Sequence, residues 1–236
     1  MPLDLLPPRS DSAAANMAAD FLLLQHYPNP THARWRHYHW HRPAITFGYG
    51  QKIADVLTQI GPEAAELELC RRPTGGGIVD HRDDWTYALV IPAKHPLGAA
   101  PAGESYTAVH QALSDTLNAQ HCPAILQPPE CVTRADKGPA VCFTRAEPAD
   151  VIHATTRAKI AGAAQKRSKR GLLFQGSVAR STVGEIDWDQ FEAEFADAIG
   201  KILQEPAEPV PWPETWDETV DALAEDYSTE AWIERR

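Results

Sequence analysis

The chain has 236 residues, of which 43% are hydrophobic and 23% charged, a composition typical of a globular protein with one or two domains. Its formal net charge of -10 at pH 7 argues against bulk binding of nucleic acid, which needs cations to neutralise phosphates. Because no apolar run approaches the roughly 20 residues of a membrane span and the first ten residues lack a signal-peptide pattern, we expect a cytoplasmic protein without a membrane anchor.

Helical and strand patterns alternate along the chain. After a Ser/Asp cap signal, apolar residues at helical spacing predict a helix over 12–26. Alternating β-branched and aromatic residues predict strands. Two strands are predicted within residues 34–51, and one each over 65–72, 85–92, 140–143, 150–155, 159–167 and 171–179. Further helices are predicted over 104–121 and 188–204. Strands adjacent in sequence and mixed with helices predict an α/β fold, an α+β mixed sheet with flanking helices.

The C-terminal part of the chain has a different composition. The proline-rich stretch EPAEPVPWPETW, residues 205–216, predicts an extended linker, and 219–236 predicts a short helical end. We therefore expect one domain over residues 1–205, followed over 206–236 by a linker and a helical tail that form no separate domain.

A glycine triplet, Gly75–Gly77, lies between two arginines and a histidine in RRPTGGGIVDH, residues 71–81. Glycine lacks Cβ, so such a loop can adopt positive φ and let a ligand approach the backbone. A loose turn between two strands would also account for a glycine cluster.

Three histidines alternate in HYHWH, and a strand would place His37, His39 and His41 on one face. Three imidazoles on one face could bind a transition metal. A single row cannot surround a tetrahedral ion, however, so we predict no metal site and favour a strand face that lines a groove.

The stretch RAKIAGAAQKRSKR, residues 157–170, holds six basic residues and no acidic residue. It could be a strand edge protected by positive charge, or a patch that meets an acidic partner or a phosphate. Lys159 differs from the outer lysines because small residues follow it through Ala164, which leaves room for a ligand beside its ammonium group.

None of the cysteines has CxxC spacing, and cytosolic thiols are mostly reduced. They are Cys70, Cys122, Cys131 and Cys142. A buried cysteine is usually a small apolar filler. Cys142 stands out because it lies near the end of an apolar strand, where an ammonium group such as that of Lys159 could stabilise its thiolate.

Four stretches, in this order, resemble the lipoate-protein ligase and octanoyltransferase family, which is related to the biotin ligases. They are YHWHRPAITFGYGQ, RRPTGGGIVDHRDDWTY, RAKIAGAAQKRSKRGLLFQGSVA and YSTEAWIERR. The likeness extends from about residue 12 to residue 236. It implies the biotin/lipoate protein ligase catalytic-domain fold and makes 1–205 an acyl-transfer catalytic domain.

The resemblance also implies roles for single residues. In the family, an RR-x-TGGG-x-x-x-H loop wraps the reactive end of the acyl chain, and the lysine of a K-I-x-G strand contacts its carbonyl or acyl-phosphate oxygen. By position, the acyl-binding residues are Arg71, Arg72, Thr74, Gly75, Gly76, Gly77, His81 and Gly162, with Lys159 as catalytic lysine and Ile160 beside it. Backbone N–H groups and Lys159 would then converge on one carbonyl oxygen.

Three activities are compatible with this resemblance. The first is octanoyl transfer from acyl carrier protein to the lysine of a lipoyl domain, through a Cys142 thioester and without a cofactor. Acceptors would be the lipoyl domains of 2-oxoacid dehydrogenases or the glycine cleavage H protein. A C-F pair upstream of the K-I-x-G strand, here Cys142-Phe143, and the few residues after the last predicted sheet-packing helix favour it.

The second activity is ATP-dependent lipoate ligation, which needs ATP and Mg and forms an acyl-adenylate. It is favoured by Gly77, where the transferases often have Arg. The third is an acyl-binding half of a split ligase, which would not need a nucleophile.

Overall fold

The computed structural model describes residues 2–129 and 145–235. In these two ranges the strands are β1 Leu3–Leu5, β2 Arg9–Asp11, β3 Ala33–Trp40, β4 Ala44–Phe47, β5 Glu68–Arg71, β6 Val79–Asp80, β7 Asp84–Pro92, β8 Ala124–Leu126, β9 Val151–His153, β10 Lys159–Ser168, β11 Gly171–Ala179 and β12 Ala207–Pro209. The helices are α1 Ala13–Gln25, α2 Ile53–Ile60, α3 Pro96–Ala99, α4 Ala102–Ala119, α5 Trp188–Leu203, α6 Trp216–Tyr227 and α7 Glu230–Ile233.

Nine of the described strands form one mixed sheet, in the order β12-β1-β3-β7-β11-β10-β9-β8, with β2 also paired to β3. The strands β3, β7, β11 and β10 are antiparallel neighbours, whereas β1 runs parallel to both β3 and β12. Leu89 of β7 lies opposite Trp35 on one side and Phe174 on the other. The centre of the sheet is therefore β7 and β11.

Both faces of this sheet are covered by helices. Trp85 and Leu89 of β7 pack with residues of α4 and α5, including Phe195, whereas Ala88 and Val90 pack with α1 and α6. Side chains of a strand point alternately to its two faces. A strand covered on both sides is expected to be apolar throughout, which explains the sequence WTYALVIP.

A smaller sheet, β5-β4-β6, holds the glycine-rich segment. Its apolar core consists of Ile45, Phe47, Val56 and Ile78, with Val56 supplied by α2. The chain leaves this sheet at the end of β5 and returns at β6, so residues 72–78 form a loop with both ends held by β4.

The long helices agree with the sequence predictions. For α1, the Ser12 side chain accepts a hydrogen bond from the Ala15 N–H group, which is the expected N-terminal cap. The strand predicted over 140–143 lies outside the described residues. The basic segment is not simply a sheet edge, because β10 pairs with β11 over Ala161–Ser168 and with β9 near Lys159.

The C-terminal segment differs from the predicted linker. Strand β12, within the proline-rich stretch, pairs with β1, and α6 packs against α1. Trp216, Val220 and Tyr227 of α6 are buried in the same apolar cluster as α1. Among the helices in the two described ranges, we find none with the length and apolarity that a bilayer crossing requires.

Candidate active site

The glycine-rich loop is held by a guanidinium group. Arg72 donates hydrogen bonds to the carbonyl oxygens of Gly75 at 2.8 Å and Gly77 at 2.7 Å. Of the loop glycines, Gly76 is the one with positive φ, at 89°, a region that residues with a Cβ adopt rarely. Within the triplet, Gly76 is therefore the position whose backbone conformation favours glycine.

A fourth glycine, which the sequence reasoning missed, makes the loop possible. A Cβ at Gly48 would lie 2.1 Å from the Gly76 carbonyl oxygen, so Gly48, the residue just after β4, permits the loop to lie against this part of the chain. The Gly48 N–H donates to Gln51 Oε1 at 2.8 Å. The signal was present in the sequence as the G-Y-G-Q that follows β4.

Thr74 fixes the start of the loop on the large sheet. Its hydroxyl donates to Gln175 Oε1 at 2.7 Å, and the Gln175 amide donates to Asp20 of α1 at 2.7 Å. Asp20 is paired with the buried Arg36 at 2.9 Å. Since this chain of contacts joins the loop to β11, α1 and β3, the loop has little freedom to move away from the sheet.

Lys159, at the start of β10, is buried, and its ammonium lies 2.7 Å from Asp150 Oδ2. A Cβ added to Gly162 would lie 2.7 Å from Lys159 Nζ and 3.0 Å from Asp150 Oδ1. The small residue at 162 thus makes room for the lysine side chain itself.

Asp150 was not identified from the sequence, and it organises this end of the site. Its Oδ1 accepts a hydrogen bond from the Tyr106 hydroxyl at 2.5 Å, and its Oδ2 accepts one from the Glu147 N–H at 2.7 Å. Burial and the charge of Asp150 raise the pKa of Tyr106 well above its ordinary value, so this hydroxyl remains a donor at neutral pH. Tyr106 and Asp150 therefore fix where the Lys159 ammonium lies.

His81 is held between two polar groups. Its Nδ1 lies 2.6 Å from Asp84 Oδ2, its Nε2 lies 2.8 Å from Thr46 Oγ1, and its ring stacks on Trp40. The hydroxyl of Ser177 donates to the same Asp84 oxygen. The imidazole is thus fixed in orientation, which the sequence pattern alone could not show.

Two cavities meet at the loop. A groove of about 1030 Å³ is lined by residues of α4 and of the 126–129 and 145–150 segments. A narrow cavity of about 60 Å³ extends inward and is lined by Met17, Val79 and His81 among others. Both are lined by Gly76, Lys159 and Ala163. Because Lys159 lines both cavities, a chain that extends through the groove and the narrow cavity could place its reactive end beside the ammonium.

Arg71 has a different position from its predicted partners. Its guanidinium donates to the carbonyl oxygens of Tyr49 at 2.6 Å, Gln51 at 2.7 Å, Trp232 at 3.0 Å and Ile233 at 2.6 Å. Arg71 lines neither of the two cavities. The predicted residues that line one or both cavities are Arg72, Gly76, Gly77, His81, Lys159 and Gly162. Thr74 and Gly75 line neither cavity but hold the loop through hydrogen bonds, and Arg71 connects the residues around the loop to α7.

Cys142 and Cys131 lie outside the described residues, so the thioester hypothesis stays a prediction. Arg145, three residues along the chain from Cys142, lines the groove together with Lys159. Cys70 is buried, and burial raises the pKa of its thiol to about 12. Cys70 is therefore a poor nucleophile at neutral pH, as the sequence reasoning expected.

The alternating histidines belong to another region. His37 stacks on Trp85 in the core and contacts the ring of His39, so these two share a face as predicted. Burial lowers the pKa of His37 to about 4. In the two described ranges, no group of three or more His, Cys, Asp or Glu side chains is arranged to hold a metal ion.

The arrangement suits chemistry at an acyl carbonyl. A fixed ammonium and backbone close to it can stabilise negative charge that develops on a carbonyl oxygen, and burial strengthens the effect. Lys159 and Gly76 supply these two features at the point where the cavities meet.

Sequence comparison links this geometry to known proteins. A profile of the lipoyl protein ligase A/B catalytic domain matches residues 12–222. Proteins named octanoyltransferase LipM are 33% identical over 190 residues in Oceanobacillus iheyensis and 32% identical over 182 residues in Halalkalibacterium halodurans. The alignments cover 76% and 75% of this chain and 64% of each relative, so the chain spans just under two thirds of these relatives.

Structure comparison gives the fold. A crystal structure of lipoate-protein ligase A bound with ATP matches with a TM-score of 0.76 at 18% identity, over 99% of this chain and 98% of the other. A bipartite lipoate protein ligase system from Thermoplasma acidophilum matches with a TM-score of 0.72 at 16% identity, over 100% and 98% of the two chains. These matches confirm the predicted mixed-sheet fold of the lipoate protein ligase catalytic domain.

Proposed function

The chain belongs to the lipoyl protein ligase A/B catalytic domain family, and from this membership we propose that it is an octanoyltransferase of protein lipoylation. The donor is octanoyl-acyl carrier protein, and the acceptor is the lysine of a lipoyl domain, in a 2-oxoacid dehydrogenase or the glycine cleavage H protein. The curated relatives named octanoyltransferase support this activity.

The observation that carries the proposal is the position of Lys159. Its ammonium is held by Asp150 at 2.7 Å, where the groove meets the narrow cavity. An acyl chain that occupies the groove and the narrow cavity together would place its carbonyl oxygen beside this cation and the Gly76 backbone. Charge that develops on the oxygen would then meet a preorganised partner.

The reaction proceeds in two exchanges. The Cys142 thiolate attacks the octanoyl thioester, the bond to the carrier sulfur breaks, and the carrier leaves as a thiolate. The lysine amine of the lipoyl domain then attacks the enzyme thioester, forms the amide, loses a proton and releases the Cys142 thiol. The intermediate divides one difficult acyl transfer into two easier steps, and no cofactor is needed.

The second candidate is an ATP-dependent lipoate ligase. The unbroken triplet Gly75–Gly77 favours it, since transferases of this family often have Arg at the third position. ATP and Mg would then supply the acyl-adenylate, and Lys159 would contact an acyl-phosphate oxygen instead of a thioester carbonyl.

One experiment separates the two. The purified protein is incubated with octanoyl-acyl carrier protein, or with lipoate, ATP and Mg, and then with an apo lipoyl domain. We expect a hydroxylamine-labile octanoyl adduct in the first case, absent from Cys142→Ala, and modification of the lipoyl domain. Modification only in the presence of ATP would assign the ligase, and an adduct that persists in Cys142→Ala would remove the thioester step.

A further inference from the structure

An exposed tyrosine beside the groove has two cations close to its ring. Lys166 Nζ lies 5.5 Å and Arg235 Cζ 5.6 Å from the centre of the Tyr49 ring, which is 38% exposed. We call these three residues the Tyr49 cluster. Cations at this distance from an aromatic ring are attracted to its face, so two positive charges are concentrated around one partly exposed apolar surface.

The Tyr49 cluster is hydrogen-bonded to the glycine-rich loop. The Tyr49 N–H donates to the Thr74 carbonyl oxygen at 2.8 Å, and Lys166 Nζ donates to the Pro73 carbonyl oxygen at 3.2 Å. Gln51, two residues after Tyr49, lines the groove. A molecule that contacts the cluster would therefore lie at the mouth of the groove.

The positive charge of the Tyr49 cluster is opposite in sign to the net charge of the chain. At a net charge of -10, the protein repels an acidic partner at long range. Productive contact with such a partner requires a local positive surface, and its attraction acts within about 10 Å at ordinary ionic strength. The Tyr49 cluster supplies that surface next to the reaction site.

The distance to the catalytic lysine indicates which partner docks there. A Cβ at Gly162 would lie 2.7 Å from Lys159 Nζ, and Gly162 is four residues from Lys166 on β10, which at about 3.3 Å per residue is roughly 13 Å. A lysine side chain of an acceptor domain is too short to span this distance. An acyl group on a long flexible arm, such as the phosphopantetheine of a carrier protein, can reach across it while the carrier itself stays at the cluster.

We propose that the Tyr49 cluster docks the acidic carrier protein that delivers the acyl group on its phosphopantetheine arm. The inference rests on the proposed function for the identity of the donor.

The test compares two donors with one acceptor. Arg235→Ala is assayed with octanoyl-acyl carrier protein and with octanoyl-pantetheine, which has the thioester but no acidic protein. We expect this variant to raise the KM for the carrier-bound donor about fivefold and to leave turnover of octanoyl-pantetheine unchanged. Arg170→Ala, an exposed cation just past the end of β10, is the matched control and should change neither.

Binding without turnover separates this inference from the proposed function. We expect unacylated carrier protein to bind the wild type in a salt-sensitive manner and Arg235→Glu more weakly by tenfold or more. Salt-sensitive binding that depends on Arg235, without acyl transfer from either donor, would reject the transferase and retain the docking surface. Equal effects on both donors, no effect of either variant, or a raised KM for the lipoyl domain instead would overturn the inference.

Discussion

Positions 162 and 76 need glycine for two different physical reasons. At Gly162 the space is occupied by the end of the Lys159 side chain, whereas at Gly76 the backbone itself has a conformation that disfavours a Cβ. The same substitution therefore disturbs a side chain at position 162 and the backbone at position 76.

Gly162→Ala should abolish most acyl transfer and lower the stability. The new methyl group would lie 2.7 Å from Lys159 Nζ, so the ammonium would have to leave its buried ion pair with Asp150. Its displacement from Asp150 should cost about 100-fold in turnover, since misplacing a catalytic group by about 1 Å has this order of effect. Gly50→Ala, with no atom within 4 Å of the added Cβ, is the control. Equal turnover of the two variants would contradict the role of Lys159.

Gly76→Ala should lose both stability and activity, whereas Gly75→Ala should keep both. Alanine at φ 89° costs about 1 kcal/mol or more, and its methyl group would approach Arg72 Nη2 to 2.9 Å. Gly75 has ordinary φ and open space around it. Thermal unfolding and turnover of both variants test this. Unchanged turnover of Gly76→Ala would make the triplet an ordinary turn.

The sequence predicted the residues of the loop but not the network that fixes the lysine. The glycine triplet is visible because three consecutive residues without a Cβ indicate a backbone with unusual freedom. Asp150 precedes Lys159 by nine residues and approaches it only because β9 and β10 pair. Arg71 and Arg72 are adjacent in sequence, yet neighbouring strand residues point to opposite sides, so only Arg72 reaches the cavity.

At the scale of elements, Arg71 connects the C-terminal helix α7 to the surroundings of the glycine-rich loop. Its guanidinium group donates hydrogen bonds to the carbonyl oxygens of Trp232 and Ile233 and to those of Tyr49 and Gln51. Long helices and central strands could be predicted from periodicity. Strand β12 could not, because it lies in a proline-rich stretch and forms only by pairing with a distant strand.

Arg71→Lys should loosen both the loop and α7. An ammonium has three donors without the planar fork of arginine, so it cannot replace four bonds to two segments. We expect a loss of about 1–3 kcal/mol in the free energy of unfolding and faster amide exchange at Tyr49, whose N–H bonds the Thr74 carbonyl oxygen. Arg82→Lys, at an exposed ion pair, should change neither. An unchanged rate of amide hydrogen exchange at Tyr49 would show that Arg71 does not stabilise the loop.

At the scale of the molecule, a sheet covered on both faces buries ionisable groups as well as apolar ones. His37 and His110 are both buried, and burial lowers the pKa of each from 6.5 to about 4. Each imidazole is therefore neutral in the folded protein over a pH range in which it is protonated in the unfolded chain.

Stability should fall as the pH decreases from 6.5 towards 4. In this window the unfolded chain binds protons that the folded protein does not, and the full effect is roughly 3 kcal/mol for each histidine. Urea unfolding at pH 7 and at pH 4.5 measures the difference. His37→Phe, which can still stack on Trp85, should reduce it, and His41→Gln, at an exposed residue, should not. An equal pH dependence in both variants would exclude His37 as a contributor.

The pairing of β1 with β12 has a consequence for how the protein is made. Strand β1 contains Leu3–Leu5 and β12 contains Ala207–Pro209, so β1 gains its outer neighbour only after the other described strands of the sheet have been synthesised. Until then, the edge of β1 is open to pairing with other chains. Contacts this distant in sequence also slow folding. The outer edge of β1 can therefore close only after β12 has been synthesised.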